Sequence, residues 1–137
     1  MSTLSASPPR SFVPSALRIL GAVALLVSGA VHLQQYLGAG YRNIPTIGTL
    51  FLLNAIAAGI VGLAILLRAS ALLVLLGVAI AVGALVSLIV SLSTPIFGFM
   101  ETQTNLPVSV ALASEAAAIL LLGASLGQLR RSGRASR

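Results

Sequence analysis

The sequence predicts an all-α integral membrane protein, a bundle of four transmembrane helices with both termini in the cytoplasm. Two observations predict this fold class. The 137 residues are 58% hydrophobic and only 7% charged, against about 25% charged in a typical soluble domain, so polar surface is too scarce to cover the apolar side chains in water. Four apolar runs are also long enough to cross a bilayer as helices, which takes roughly 20 residues.

The four predicted spans are residues 16–37, 47–67, 69–92 and 108–126, which together form a membrane domain over residues 16–126. They lack the strict alternation of apolar and polar residues that strands of a membrane β-barrel have. Residues 1–15 are rich in Ser and Pro and are predicted to be a disordered cytoplasmic segment. Residues 127–137 are predicted to be a basic cytoplasmic tail.

The first span has a second interpretation. Arg10 and Arg18, the apolar stretch 19–27 and the small residues 28–30 resemble a secretory signal peptide with its cleavage site. Apolar character continues to Leu33, past the core of about 7–15 residues in a typical signal peptide, and this favours a retained helix. Cleavage would leave three spans.

The second and fourth spans begin alike, with Asn43-Ile-Pro45 and Asn105-Leu-Pro107. In each case the asparagine is predicted to cap the helix while proline occupies the first turn, where its missing N–H costs nothing. The likeness is compatible with an internal repeat of two hairpins and equally with two uses of a common helix start.

The third span carries two patterns of small residues four apart, Gly77/Ala81 and Gly83/Ser87. Such patterns are typical of close helix contact in membranes. The sequence leaves open whether these contacts form within one chain or between copies in a homo-oligomer.

The basic residues predict the orientation. All eight are arginine, and with four spans seven of them fall on the side of the termini, while Arg42 alone lies on the other side. The positive-inside rule then places both termini in the cytoplasm, as expected of a multi-pass protein of the cell (inner) membrane. The net charge of +6 is therefore interpreted as a topology signal, and no nucleic-acid partner is expected. The seven residues are Arg10, Arg18, Arg68, Arg130, Arg131, Arg134 and Arg137.

Three polar residues within the spans are predicted to share one depth. Glu115 lies seven residues past Val108, roughly 10 Å from the boundary at 1.5 Å per residue, and Asn54 and His32 lie at similar depths. A charged carboxylate at depth costs at least roughly 2.5–3.5 kcal/mol, so Glu115 needs a partner, a cavity or a proton. The sequence therefore predicts a polar cluster of Glu115, His32 and Asn54.

Further candidates lie near this cluster. Gln35 and Tyr36 share the helix face of His32, Ser87 and Ser91 lie at a similar depth, and Glu101 and Arg42 are predicted to form a loop pair or to be solvated. Each residue also has a structural interpretation. Asn54 could be a simple interhelical hydrogen bond, and the loop aromatics could be interface anchors.

Residue types limit the chemistry. The chain has no Cys and one His, so it supplies no thiolate site and no bis-histidine haem site of its own. His32 and Glu115 lack a third strong metal ligand unless Glu101 joins them, and no catalytic motif is recognised. No catalytic residue, metal site or cofactor is therefore assigned, and an enzyme is less favoured than a binding protein.

The pattern "SGAVHLQQYLGAGYRNIPTIGTLFLLNA", followed by "FGFMETQ" and a glutamate in the fourth span, resembles small four-helix integral membrane proteins of bacteria to which no activity is assigned. The resemblance covers most of residues 16–126 and implies the four-span fold.

Three functions remain open from the sequence. The first is a membrane protein with an outward-facing polar pocket that binds a proton, ion or small ligand in the outer leaflet of the lipid bilayer. The second is a structural or accessory subunit of a larger membrane complex. The third is a quinone-linked membrane redox protein.

Overall fold

The computed structural model describes residues 13–135, with side chains from 15 to 129. The described chain forms four helices, with bounds α1 Val13–Gly38, α2 Ile47–Leu67, α3 Ala71–Ser91 and α4 Leu106–Ala135, and a 3-10 turn, Tyr41–Asn43. All four helices are long and apolar enough to cross a membrane. The predicted all-α bundle of four transmembrane helices is confirmed, and the fold is that of a multi-pass membrane protein.

The helix boundaries differ slightly from the predicted spans. α1 begins at Val13 and α4 runs to Ala135, so part of the predicted basic tail is helical. α3 begins at Ala71 because Arg68 and Ser70 are extended. Residues 1–12, within the segment predicted to be disordered, lie outside the described residues.

The helices pack in the cyclic order α1, α2, α3, α4, with α1 contacting α3 across the centre and no contact between α2 and α4 in the described chain. The seam between α2 and α3 is the least closely packed of the four. We call the end with residues 39–46 and 92–105 the loop end. The end with residues 68–70, the start of α1 and the end of α4 is called the terminal end.

The apolar core lies toward the terminal end. It consists of alanines and larger aliphatic residues with no exposed surface: Ala22, Leu25, Ala58, Ile65, Val74, Ala81, Ala118 and Leu122. Gly77 belongs to this packing, because a Cβ there would lie 2.9 Å from Ile65 Cδ1 and 3.0 Å from Leu122 Cδ1. The Gly77/Ala81 pattern therefore serves contact within the chain. The other pattern does not, because a Cβ at Gly83 would meet nothing within 4 Å.

The outer surface of the bundle is apolar. Leu72 is 65% exposed and Leu120 72% exposed, and they belong to a large set of exposed aliphatic side chains on all four helices. A surface of this kind is unfavourable in water and suits lipid tails.

Arg18 joins α1 to α2 by a hydrogen bond at the terminal end of the bundle. Its guanidinium donates a hydrogen bond to the carbonyl oxygen of Ile65 in the last turn of α2. Carbonyls in a last turn lack helical partners and carry partial negative charge, so an arginine is a favourable partner there.

The two predicted asparagine caps have different outcomes. Asn105 caps α4, because its Oδ1 accepts a hydrogen bond from Val108 N–H at 3.3 Å. The prediction for Asn43 is wrong, since Asn43 ends the 3-10 turn and α2 follows Thr46, at φ 64°, with no side-chain cap. Pro45 holds Ile44 extended (φ −92°, ψ 112°), which separates Asn43 from the first N–H groups of the helix.

Candidate functional site

Glu115 is completely buried between α4 and α1. Its Oε1 accepts a hydrogen bond from Ser28 Oγ at 3.2 Å and lies 3.9 Å from His32 Nε2. Ser28 and His32 are one turn apart on α1, so one face of that helix supplies both neighbours. We call Glu115, Ser28 and His32 the Glu115 cluster.

Small residues allow this close approach. Ala111 and Ala118, one turn to either side of Glu115, are buried, as is usual for small residues on a helix face that contacts a neighbouring helix in a membrane. Ser114 is buried as well, and its hydroxyl donates to the carbonyl of Ala111 at 3.1 Å. The carboxyl therefore faces protein and not lipid.

The orientation of His32 is fixed by its own helix. Its Nδ1 lies 2.9 Å from the carbonyl oxygen of Ser28, an acceptor only, so Nδ1 must be the protonated nitrogen that donates this bond. In the neutral ring Nε2 is then an acceptor, and it is the atom that faces Glu115.

The second oxygen of Glu115, Oε2, is buried and has no hydrogen-bond partner in the described structure. Buried polar groups in native proteins nearly always have a partner, and an exception calls for an explanation such as a functional role or an additional bound species. Ser28 therefore holds Oε1 in place, whereas Oε2 can still accept a hydrogen bond or a proton.

A second cluster closes the loop end. Tyr41 donates a hydrogen bond to Glu101 Oε2, the backbone N–H of Gln103 donates to Glu101 Oε1 at 3.0 Å, and Gln35 hydrogen-bonds to Tyr41. Glu101 is also held by its own N–H, which donates to the Ser91 carbonyl at 2.8 Å. These contacts join both loops to the ends of α1 and α3.

Burial raises the pKa of the Tyr41 hydroxyl well above its ordinary value, and the hydrogen bond and negative charge of Glu101 raise that pKa further. The phenol is therefore held as a neutral donor to a carboxylate.

Aromatic contacts connect the two clusters. The ring of Phe51 lies 4.6 Å from that of Tyr41, in a stacked arrangement, and 4.9 Å from the imidazole of His32. Phe99 packs against Tyr41 edge-on at 5.6 Å. Phe51 of α2 thus stands between the Glu115 cluster and the α2–α3 seam.

A cavity of about 420 Å³ occupies the loop-end half of the α2–α3 seam. Its lining is mostly apolar, with polar groups from Asn54, Ser87, Ser91 and Glu101. One edge is a two-residue hairpin in which Ile96 and Phe99 exchange backbone hydrogen bonds and the residues between them have φ of 50° and 78°, as a type I′ turn requires.

The structure brings together only some of the predicted residues. Glu115 and His32 meet, and Gln35 and Glu101 meet through Tyr41. The prediction that Asn54 joins the Glu115 cluster is wrong, because α2 lies across the bundle from α4 and the Asn54 amide lines the cavity, with its Nδ2 unpaired in the described structure. Tyr36 is half-buried and forms no hydrogen bond or ring contact with the described residues.

Glu101 does not pair with Arg42, since Tyr41 is its partner. Glu101 also stays apart from the Glu115 cluster, and no group of three His, Asp or Glu side chains suited to a metal occurs within the described residues.

Three contributors are not among the site residues predicted from the sequence: Ser28, Tyr41 and Phe51. Ser28 precedes His32 by one helical turn, so the spacing places it on the His32 face, but its hydroxyl was not predicted to bond Glu115. No spacing rule links Tyr41 to Glu101, 60 positions away, or Phe51 to the imidazole of another helix.

Comparisons with protein-family models, curated proteins and solved structures give no significant match. The fold and the site define a class nonetheless: a small multi-span membrane protein with a buried carboxyl–imidazole pair. What that pair does is argued below from its own geometry.

Proposed function

We propose that this protein binds and releases protons inside the membrane, with Glu115 and His32 as the exchanging groups. The observation that carries the proposal is the Glu115 carboxyl, which is fully buried, faces an imidazole nitrogen with one oxygen, and has no partner for the other.

The energetics support a proton at this position. An ionised carboxylate at membrane depth costs at least roughly 2.5–3.5 kcal/mol on insertion scales, and a bound proton removes that cost. Because His32 Nδ1 is committed to the Ser28 carbonyl, Nε2 can accept a proton from the Glu115 side. The 3.9 Å separation exceeds the roughly 2.7–2.9 Å of a charge-assisted hydrogen bond, so proton transfer between the two groups requires them to approach by about 1 Å.

Few other charges influence the pair. Neither α2 nor α3 carries a titratable side chain. On α1 the other titratable groups within the described side chains are Arg18, bonded at the terminal end, and Tyr36. The loop end contributes Tyr41, Arg42 and Glu101. Within the described side chains, neither Glu115 nor His32 forms an ion pair with any other residue.

Infrared titration of the protein in lipid nanodiscs tests the proposal. We expect a protonated-carboxyl band that disappears as pH rises, is absent in Glu115→Gln, and persists in the matched variant Glu101→Gln. Since His32 is the only histidine of the chain, ¹⁵N-histidine NMR reports its tautomer without assignment. A Glu115 band that is missing at every pH, or that never changes while the protein stays folded, would overturn the proposal.

We further propose that both termini face the cytoplasm and that the protein resides in the cell (inner) membrane. The support is the order of the sequence, in which four spans put seven arginines on the side of the termini and Arg42 alone on the other side. In this orientation the Glu115 cluster lies in the outer half of the bilayer.

The two other functions have separate tests. An accessory subunit would co-purify with one partner after mild detergent extraction, whereas a self-sufficient proton-binding protein is stable alone or as a homo-oligomer. A coloured preparation would favour the quinone-linked redox alternative.

A further inference from the structure

The cavity between α2 and α3 opens sideways. Two of its lining residues, Leu50 and Leu53, are 44% and 56% exposed on the membrane-facing surface. Gly83 and Ser87 of α3 also line it and are exposed. A molecule dissolved in the bilayer can therefore reach the cavity without passing through water.

The cavity exists because small residues face each other across the seam. Ala57 of α2 and Ala79, Gly83 and Ala84 of α3 line it, and the space at Gly83 is open for at least 4 Å. Protein interiors seldom leave such space empty, and the volume lies within the range of about 300–1,000 Å³ found for small-molecule sites.

The distribution of polar groups restricts the occupant. Aliphatic and aromatic side chains such as Phe51, Ile80 and Leu88 supply most of the lining, while Asn54 and Ser87 supply an amide and a hydroxyl. The Asn54 Nδ2 donor is buried without a partner in the described structure. A rotation of the amide toward the cavity that Asn54 lines would bring this donor to an acceptor on a ligand.

The charge of the cavity lining further restricts the head group of the ligand. Glu101 lines the loop end of the cavity, and none of the arginines whose side chains are described lines it. A ligand with an anionic head would meet a carboxylate with no cation to offset the repulsion.

We propose that the α2–α3 cavity binds a membrane-dissolved amphiphile that has an apolar chain and an uncharged head with a hydrogen-bond acceptor. The chain lies against the aliphatic lining and the head lies near Asn54 and Ser87. The ligand enters from lipid between the two helices.

Photolabelling in phosphatidylcholine nanodiscs tests this directly. The probe is a long-chain alcohol with a diazirine in its chain, compared with the carboxylate and the ammonium of the same chain. Peptide mass spectrometry then locates the label. We expect the alcohol to label α2 and α3 lining residues well above the carboxylate.

Gly83→Leu should reduce that labelling by about tenfold or more, the effect of losing about 1.4 kcal/mol of binding, because the added side chain fills the cavity. Gly123→Leu is the matched control, since Gly123 is exposed on α4, has nothing within 4 Å of an added Cβ and does not line the cavity. Ser87→Leu provides a second filling variant should Gly83→Leu unfold.

Three results would overturn the proposal: labelling that is unchanged in the filling variants, preferential labelling by the carboxylate or the ammonium probe, or a dimer that Gly83→Leu converts to a monomer with no labelling of the parent protein. The last result would assign the groove to a second copy of the chain. Glu115→Gln should leave the labelling intact, so the proton-binding proposal and this one can fail independently.

Discussion

Glu115 and its two α1 neighbours should be energetically coupled, and the structure sets the size of that coupling. The changes are Glu115→Leu, which removes both carboxyl oxygens at similar side-chain size, Ser28→Ala and His32→Asn, made singly and as the two pairs that include Glu115. Because Ser28 donates directly to Glu115 at 3.2 Å, removing either residue removes the same bond. The second change should then cost less than it does alone.

For the Ser28 pair we expect a coupling of about 0.6–1.7 kcal/mol, the average and upper values for hydrogen bonds between helices in a membrane. For the His32 pair, the distance of 3.9 Å predicts a different coupling energy for a charged pair than for a neutral pair. Oppositely charged groups at that distance interact by about 4 kcal/mol at an effective dielectric constant of about 20. A neutral pair stays within the hydrogen-bond range of at most about 1.7 kcal/mol.

The assay is thermal unfolding in one detergent at fixed pH for the parent, the three single variants and the two double variants. Ala111→Gly in α4, which removes a buried methyl beside the cluster, controls for general loosening of the α1–α4 contact. Additivity within about 0.3–0.5 kcal/mol for both pairs would refute the reasoning, because it would mean that these side chains do not meet. The sign of each single change is not fixed, since a functional site can gain stability when its strained groups are removed.

Three other predictions concern the loop end and the orientation. Gly48→Ala should destabilise the protein by about 1–3 kcal/mol, because its Cβ would lie 2.6 Å from the Tyr41 carbonyl oxygen. At Gly59 an added Cβ would have nothing within 4 Å, so Gly59→Ala should instead stabilise α2 by about 0.5–1 kcal/mol. Equal melting temperatures of the two variants would contradict the packing described at Gly48. Burial and Glu101 raise the pKa of the Tyr41 hydroxyl. The stability that the neutral hydroxyl gives to the folded protein is therefore present below the ordinary pKa of tyrosine and is lost as pH rises above that value. Denaturant unfolding at graded alkaline pH should show that loss in the parent and not in Tyr41→Phe, and identical alkaline profiles would contradict it. Reporters fused at Arg137 and inserted near Gln103 should give opposite sides of the membrane, with the carboxy-terminal reporter inside, and a carboxy-terminal reporter active only outside would exclude the four-span orientation.

The sequence alone determined the four-helix membrane fold. Apolar runs of about 20 residues leave few alternatives, because backbone polar groups in lipid must be satisfied within helices or a closed barrel. The fixed rise of 1.5 Å per residue also determined depth, and depth brought Glu115 and His32 to one layer. The need of a buried carboxyl for a partner then made their contact predictable.

Tertiary structure decided which residues of that layer meet. Asn54 has the same depth as Glu115 but lies on the helix diagonally opposite, since depth along the membrane normal carries no information on the order of helices around the bundle. The same limit applies to Gly77 and Gly83, which have similar neighbours in sequence. One packs in the core and the other faces the cavity.

Loop contacts were decided entirely by tertiary structure. Tyr41 and Glu101 are 60 positions apart, and their contact depends on how two loops fold over the bundle end. That folding requires φ of 64° at Thr46 and 50° at Phe97, values that residues other than glycine seldom adopt. Local preference opposes these conformations, and only packing of the completed bundle stabilises them. They therefore could not be read from the sequence.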